Sequence, residues 1–234
     1  MSGTLYLIPT TLGDESPYNV LPADIKPLAQ RIKYFFVENE RSARRFLKKI
    51  DQEINIDELT FLEINKRTRH DEMVVFLEHA IEGNDIGVLS EAGCPGVADP
   101  GADAVRAAHH KGIDVKPLVG PSSIILSLMA SGFNGQSFSF VGYIPIKNPS
   151  RGKTIFYMEQ QAVKHEQTQI FIETPYRNNQ LLEELTKTLN TNTRLCIACD
   201  LTLETEYVKT KSIGEWKKQL PDIHKRPAIF LLGK

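Results

Sequence analysis

The chain has 234 residues, 41% apolar and 24% charged, with a formal net charge of −1. This suits one large or two small globular domains, and near-neutrality excludes a polyelectrolyte, so any nucleic-acid contact must be a local basic patch. Cys94, Cys196 and Cys199 are too few and too odd for a disulfide framework and suit a reducing, cytoplasmic setting; no secretory leader or membrane span is expected, the longest apolar run (near 124–130) being too short.

Apolar strand-like runs fall at 4–9, 34–38, 59–65, 86–89 and 115–119, with helical patterns at 24–32, 41–50, 71–82 and 100–111 between them. Regular alternation of this kind predicts an α/β unit with a mainly parallel sheet and helices on both faces. Gly120-Pro121 then opens a further helix at 122–130. Strands follow at 138–145 and 169–174, a helix at 178–189, a hairpin from 194–202 and 206–213, and a last strand at 227–233. We expect two α/β domains, 1–119 and 120–234, the second with a mixed sheet and a further break at 146–152.

Chemistry concentrates after the fourth strand, where 84–101 reads NDIGVLSEAGCPGVADPG. Small residues at the carboxyl end of a strand leave backbone amides open, and in open α/β sheets cofactors sit there. The segment is neither GxGxxG nor a phosphate-cradling GxxxxGK[ST] loop, and a plain strand-to-helix turn is the ordinary alternative. Asp99 before Pro100 reads as a helix cap or as a catalytic acid. Ser122 and Ser123 can cap the next helix or face a cofactor crevice. Glu91, Asp99 and Asp103 lack a histidine at ligand spacing, so no metal site is expected. Cys196 and Cys199 lie three apart in a strand pattern, point to opposite faces, and cannot jointly grip zinc.

Arg41, Arg44, Arg45, Lys48 and Lys49 follow i, i+3, i+4, i+7, i+8 and share one helical face about 140° wide. Ala43, Phe46, Leu47 and Ile50 take the opposite face. Either this is a solvated face over a buried one, or five mutually repelling cations await a phosphate backbone. Lys66, Arg67, Arg69, Lys147, Arg151 and Lys153 could extend that surface.

The order and spacing of these segments resemble the tetrapyrrole-methylase superfamily, and within it the small-subunit ribosomal RNA 2′-O-ribose methyltransferase I family. Residues 3–9 (GTLYLIP) through Gly13 resemble the family's opening strand and proline–glycine loop. Residues 90–95 with 99–101 resemble its S-D-A-G-T-P and D-P-G segments, and 117–121 (PLVGP) its next strand–loop. Later similarity falls at 138–145, 173–177 (ETPYR) and 200–202. The resemblance implies two α/β domains, a homodimer, and S-adenosylmethionine as methyl donor, leaving as S-adenosylhomocysteine, with no metal. It implies a donor site lined by Pro9, Leu89, Ser90, Glu91, Ala92, Gly93, Val97, Ala98, Ser122 and Ser123, completed by Ile172, Thr174, Pro227 and Ala228. The implied substrate is ribosomal RNA or the small ribosomal subunit, contacted by Arg41, Arg44, Arg45, Lys48, Lys49 and Arg177.

The family's E-D-T-R reads Glu38-Asn39-Glu40-Arg41 here, losing one carboxylate and gaining another. Thr11, Asp14, Glu91 and Leu203 also depart from its pattern. Glu38, Glu40 and Arg41 are the catalytic candidates, with Glu91 a further base, because a ribose hydroxyl needs a base to take its proton. Two other readings stand beside this one: methylation of a corrin-like small molecule, and a non-catalytic RNA-binding relative.

Overall fold

In the first half of the chain, strand and helix alternate: β1 (Thr4–Ile8), α1 (Ile25–Arg31), β2 (Tyr34–Val37), α2 (Glu40–Ile50), β3 (Thr60–Glu63), α3 (His70–Phe76), α4 (Glu78–Ile81), β4 (Ile86–Leu89), α5 (Gly101–His110) and β5 (Asp114–Pro117). The computed structural model describes residues 2–65 and 67–234; Lys66, named above with the basic surface, lies outside them. Residues up to Ser122 form one unit and Ser123–Lys234 another.

The first unit's sheet has the order β3-β2-β4-β1-β5, and every neighbouring pair is parallel. Alternating side chains divide between its two faces. Leu5, Phe36, Ile86 and Val88 pack with Met73, Phe76, Ala104 and Ala108 of α3 and α5. Ile8, Phe35, Val37 and Leu89 pack with Leu28, Ala29, Phe46 and Leu47 of α1 and α2. Both faces are therefore covered, which is why these strands read as continuous apolar runs. The helix expected at 71–82 is divided at Leu77, where Ala80 N donates back to Leu77 O at 3.0 Å in a tighter, three-residue turn.

The second unit comprises α6 (Ser123–Ser131), β6 (Phe138–Tyr143), α7 (Ser150–Lys164), β7 (Thr168–Ile172), α8 (Asn178–Thr188), β8 (Arg194–Cys199), β9 (Tyr207–Ser212), α9 (Ile213–Trp216) and β10 (Ala228–Gly233). Its sheet order is β6-β7-β10-β8-β9. Only β6 and β7 run parallel; the other pairs are antiparallel, including the β8–β9 hairpin. The mixed second sheet and the parallel first one agree with the fold class read from sequence. Helix α7 fills a stretch to which periodicity assigned no element. It buries Arg151, Ile155, Met158 and Ala162, a single stripe at helical spacing. Cys196 and Cys199 are both buried strand residues outside any disulfide. No helix among the described residues is long and apolar enough to cross a membrane.

Candidate functional site

The chain leaves β1 toward β2 across one face of the sheet and leaves β4 toward β5 across the other. Strands β1 and β4 are neighbours, so their carboxyl ends bound the crevice where the winding reverses, the place that α/β sheets use for ligands. The two loops are tied there: Thr10 N donates to Gly93 O at 2.9 Å, and Ser90 Oγ to the same carbonyl at 3.0 Å. Gly93 has φ +75°, and a Cβ on it would lie 3.1 Å from Leu12 Cδ2 and 3.2 Å from Pro121 O. The loops after β1, β4 and β5 thus converge on Gly93, where a side chain would be both crowded and strained. A Cβ on Gly120 would lie 2.2 Å from Pro9 Cβ, so this approach too requires a bare backbone.

Of the residues expected to line a donor site, Pro9, Leu89, Ser90 and Gly93 are buried, while Glu91, Ala92, Val97 and Ala98 are exposed. Ala98 adopts φ 66°, a left-handed conformation unusual for a residue with a Cβ. Asp99 Oδ1 accepts from Gly96 N (2.8 Å) and Gly101 N (2.7 Å), so it pins the loop and caps the start of α5. Its other oxygen, Oδ2, is buried without a hydrogen-bond partner, and so is Thr10 Oγ1. Buried polar atoms are ordinarily paired, and these two, on either side of the Gly93 loop, fit the hydrogen-bonding needs of a polar nucleoside. Nothing in the local sequence marks Thr10, because an apolar-looking strand end carries no signal for a buried hydroxyl.

Beside this crevice lies a cavity of about 600 Å³, lined by the carboxylates Glu38, Glu91, Asp99 and Asp103 together with Asn39 and Ile64 among others. Glu38 Oε2 accepts from Glu91 N at 2.7 Å, across the ends of β2 and β4. Burial pushes the Glu38 carboxyl above its ordinary value; the Glu91 amide opposes this, and the Asp99 and Glu91 carboxylates push it further up. Asp99 is likewise raised by burial against its two amide bonds. Among the described residues no three His, Cys, Asp or Glu side chains are grouped to hold a metal ion.

The other catalytic candidates stand apart from that cavity. Glu40 is the first residue of α2 and pairs with Arg44 at 2.6 Å, a helix N-terminal acid favoured by the dipole. Arg41 is exposed. Asn39, read from sequence as a lost carboxylate, caps α2 by accepting from Ser42 N at 3.0 Å.

The basic face of α2 forms as its spacing predicts, but its repulsion is partly relieved within the protein. Besides the Glu40–Arg44 pair, Lys49 meets Asp14 at 2.7 Å and Lys48 donates to Gln52 O at 2.7 Å. The expectation of five uncompensated cations is therefore corrected, while Arg41 and Arg45 remain on the exposed face. Arg151 is also corrected: it is buried, donating to Glu184 (2.5 Å), Pro145 O (3.0 Å) and Glu173 (3.3 Å). Burial alone would raise the Glu173 carboxyl; Arg177, Thr174 N and Arg151 together hold it below the usual range. Arg177 pairs with Glu173 at 2.6 Å and keeps its side chain 37% exposed.

Within the second unit, Ile172 ends β7 and Ala228 begins β10, joined by the Ile229–Ile172 register pair. Thr174 follows on that edge, its amide donating to Glu173 Oε1 at 2.8 Å. Ser122 closes the first unit and Ser123 opens α6.

A parallel sheet wound on both faces, with small-residue loops meeting at its strand ends beside an acidic pocket, defines a doubly wound α/β protein. The model of the tetrapyrrole (corrin/porphyrin) methylases matches residues 19–217, and the chain belongs to that family. Curated relatives include ribosomal RNA small subunit methyltransferase I of Vibrio cholerae, 28% identical over 211 residues, covering 90% of this chain and 69% of that protein. The protein of the same name in Halalkalibacterium halodurans is 28% identical, covering 86% and 65%. That of Streptococcus pyogenes is 33% identical over 178 residues, covering 75% and 57%. The chain thus spans between about half and two thirds of the length of these last two relatives. Among solved structures, the methyltransferase CobJ superposes with a TM-score of 0.65 at 17% identity, over 100% of this chain and 95% of that one. Uroporphyrin-III-C-methyltransferase from Thermus thermophilus gives 0.56 at 16% identity, over 99% and 94%. At these identities the structural likeness establishes the fold alone.

Proposed function

We propose that the chain is an S-adenosylmethionine-dependent methyltransferase that modifies a ribose 2′-hydroxyl of small-subunit ribosomal RNA. The observation that carries this reading is the convergence of three strand-end loops on Gly93, next to a pocket holding Glu38 and Glu91. The relatives' names support the RNA substrate. Pro9, Leu89, Ser90 and Gly93 supply the floor for the donor. Glu91, Ala92, Val97 and Ala98 supply its open side, with Ser122 as a further contact.

The donor, when bound, supplies an activated methyl on a sulfonium, so neither a metal nor a covalent enzyme intermediate is needed. The protein's task is alignment and proton removal. Glu38 would hold the substrate hydroxyl and take the proton it loses on methylation. Its Oε2 is held by the Glu91 amide, which leaves Oε1 for the substrate. Burial shifts Glu38 upward, the direction a base working near neutral pH needs. Glu40, engaged with Arg44, serves the basic face instead. Arg41, Arg44, Arg45, Lys48, Lys49 and Arg177 contact the RNA backbone. The working protein is a cytoplasmic homodimer in this reading.

Incubation with labelled donor and unmodified small subunits, followed by mapping of the label, tests it. One ribose-methylated nucleotide is expected. Label passing to a corrin or porphyrin but not to RNA would refute the substrate, and no transfer to any acceptor would support a non-catalytic relative.

A further inference from the structure

The second unit carries an exposed aromatic–basic cluster whose Tyr176, His224 and Lys225 the methyl-transfer reading leaves unused. Tyr176 sits in the three-ten turn Pro175–Arg177, at the carboxyl end of β7, and is 70% exposed. The Lys225 ammonium lies 5.8 Å from the centroid of its ring, and the His224 ring approaches edge-on at 6.1 Å and 78°. The turn is anchored from below. Lys225 N donates to Pro175 O at 3.0 Å, and Lys225 holds a left-handed φ of 62°. Arg177 is fixed by Glu173, whose side chain is 1% exposed. Tyr143, the last residue of β6 and the register partner of Ile172, is 63% exposed at the same strand edge.

A tyrosine left in solvent is ordinary; one braced by a proline turn, a buried carboxylate and a cation over its ring is held in a set position. The local charges identify its occupant. Arg177 is paired with Glu173 and Arg226 with Asp200, and Asp222 accepts from His224 N and Asn179. Among the described residues no carboxylate lies within salt-bridge distance of Lys225. An exposed ring with a cation over one face, no carboxylate pairing that cation, matches a base stacked on the other face and its phosphate, because every base has a π-face and every nucleotide one negative charge.

We propose that Tyr176 and Lys225 form a stacking platform for an unpaired RNA base, with Tyr143 and Arg177 alongside, distinct from the basic face of α2. The proposal rests on RNA being the substrate. The test is fluorescence-anisotropy titration of the full chain with a short unstructured RNA and with the same sequence closed into a hairpin stem, across salt concentrations. Tyr176→Ala should weaken single-strand binding by roughly tenfold and leave stem binding unchanged, at a parent-like melting temperature. Tyr176→Phe should bind like the parent, since stacking needs the ring and not the hydroxyl. Lys225→Ala should reduce the slope of log K against log salt by about 0.7. Parent-like binding by Tyr176→Ala, alongside weakened binding by Arg44→Glu/Arg45→Glu, would refute the platform and keep RNA as the substrate. Equal losses on strand and stem, or a Tyr176→Phe loss matching that of alanine, would refute stacking. A parent chain that binds no RNA would overturn both proposals.

Discussion

At the residue scale, the site turns on the partly buried carboxylates Glu38 and Asp99. Glu38 is raised chiefly by burial, so the folded chain binds its proton more tightly than the unfolded one. The sign follows by linkage: above the folded value the ionised group costs stability, and the cost disappears as pH falls and the carboxyl protonates. Glu38→Gln keeps an acceptor for the Glu91 amide and removes the charge. It should therefore raise the melting temperature at neutral pH, with the gain shrinking as the buffer is acidified, while methyl transfer is lost. Differential scanning calorimetry over a pH series checks this; a gain that grows toward acid would contradict the assignment. Asp99 shares the pocket and pushes Glu38 further up, so the transition belongs to this pair. The sequence offers Glu38 through the likeness of 38–41 to the family's E-D-T-R and Glu91 through the loop after the fourth strand. It did not separate them from Glu40, because the Arg44 partner that occupies Glu40 depends on side-chain geometry.

At the element scale, α2 shows how far periodicity reaches. Its apolar positions Ala43, Phe46, Leu47 and Ile50 are buried as the spacing predicts. The Asp14 that neutralises Lys49 comes from a loop distant in sequence, and no helical pattern could announce it. This difference orders the cations. Arg45→Glu should weaken RNA binding more than Lys49→Glu, since Lys49 already has a carboxylate. The double change Arg44→Glu/Arg45→Glu should flatten the salt dependence by about 0.7–0.9 for each phosphate no longer neutralised. Filter binding across salt concentrations measures both, and an unchanged slope would assign the stripe to a merely solvated face. Helix α7 was illegible for the opposite reason. Its buried stripe includes Arg151, while Phe156 and Tyr157 point outward at 61% and 60% exposure, so the hydrophobic pattern blurs where a charged residue is buried in an ion network.

At the scale of the whole molecule, alternation of strand and helix made the first sheet legible, and the hairpin at 194–213 made part of the second. Neither sheet's strand order was legible, because order is set by long-range pairing and not by local pattern. Yet the crevice depends on that order: β1 and β4 must be neighbours for Thr10 and Gly93 to meet. Similarity over residues 19–217 fixes the family, and the close meeting of loops at Gly93 is the feature through which the donor reading stands or falls. Isothermal titration of S-adenosylhomocysteine into the parent chain and into Gly93→Val measures it most directly. The parent should bind one equivalent per chain, and ligand at a hundred times its dissociation constant should stabilise it by about 2.7 kcal/mol. Gly93→Val, with a parent-like circular dichroism spectrum, should give no heat of binding. A parent chain with neither heat nor thermal shift, or a folded Gly93→Val with undiminished affinity, would contradict the assignment.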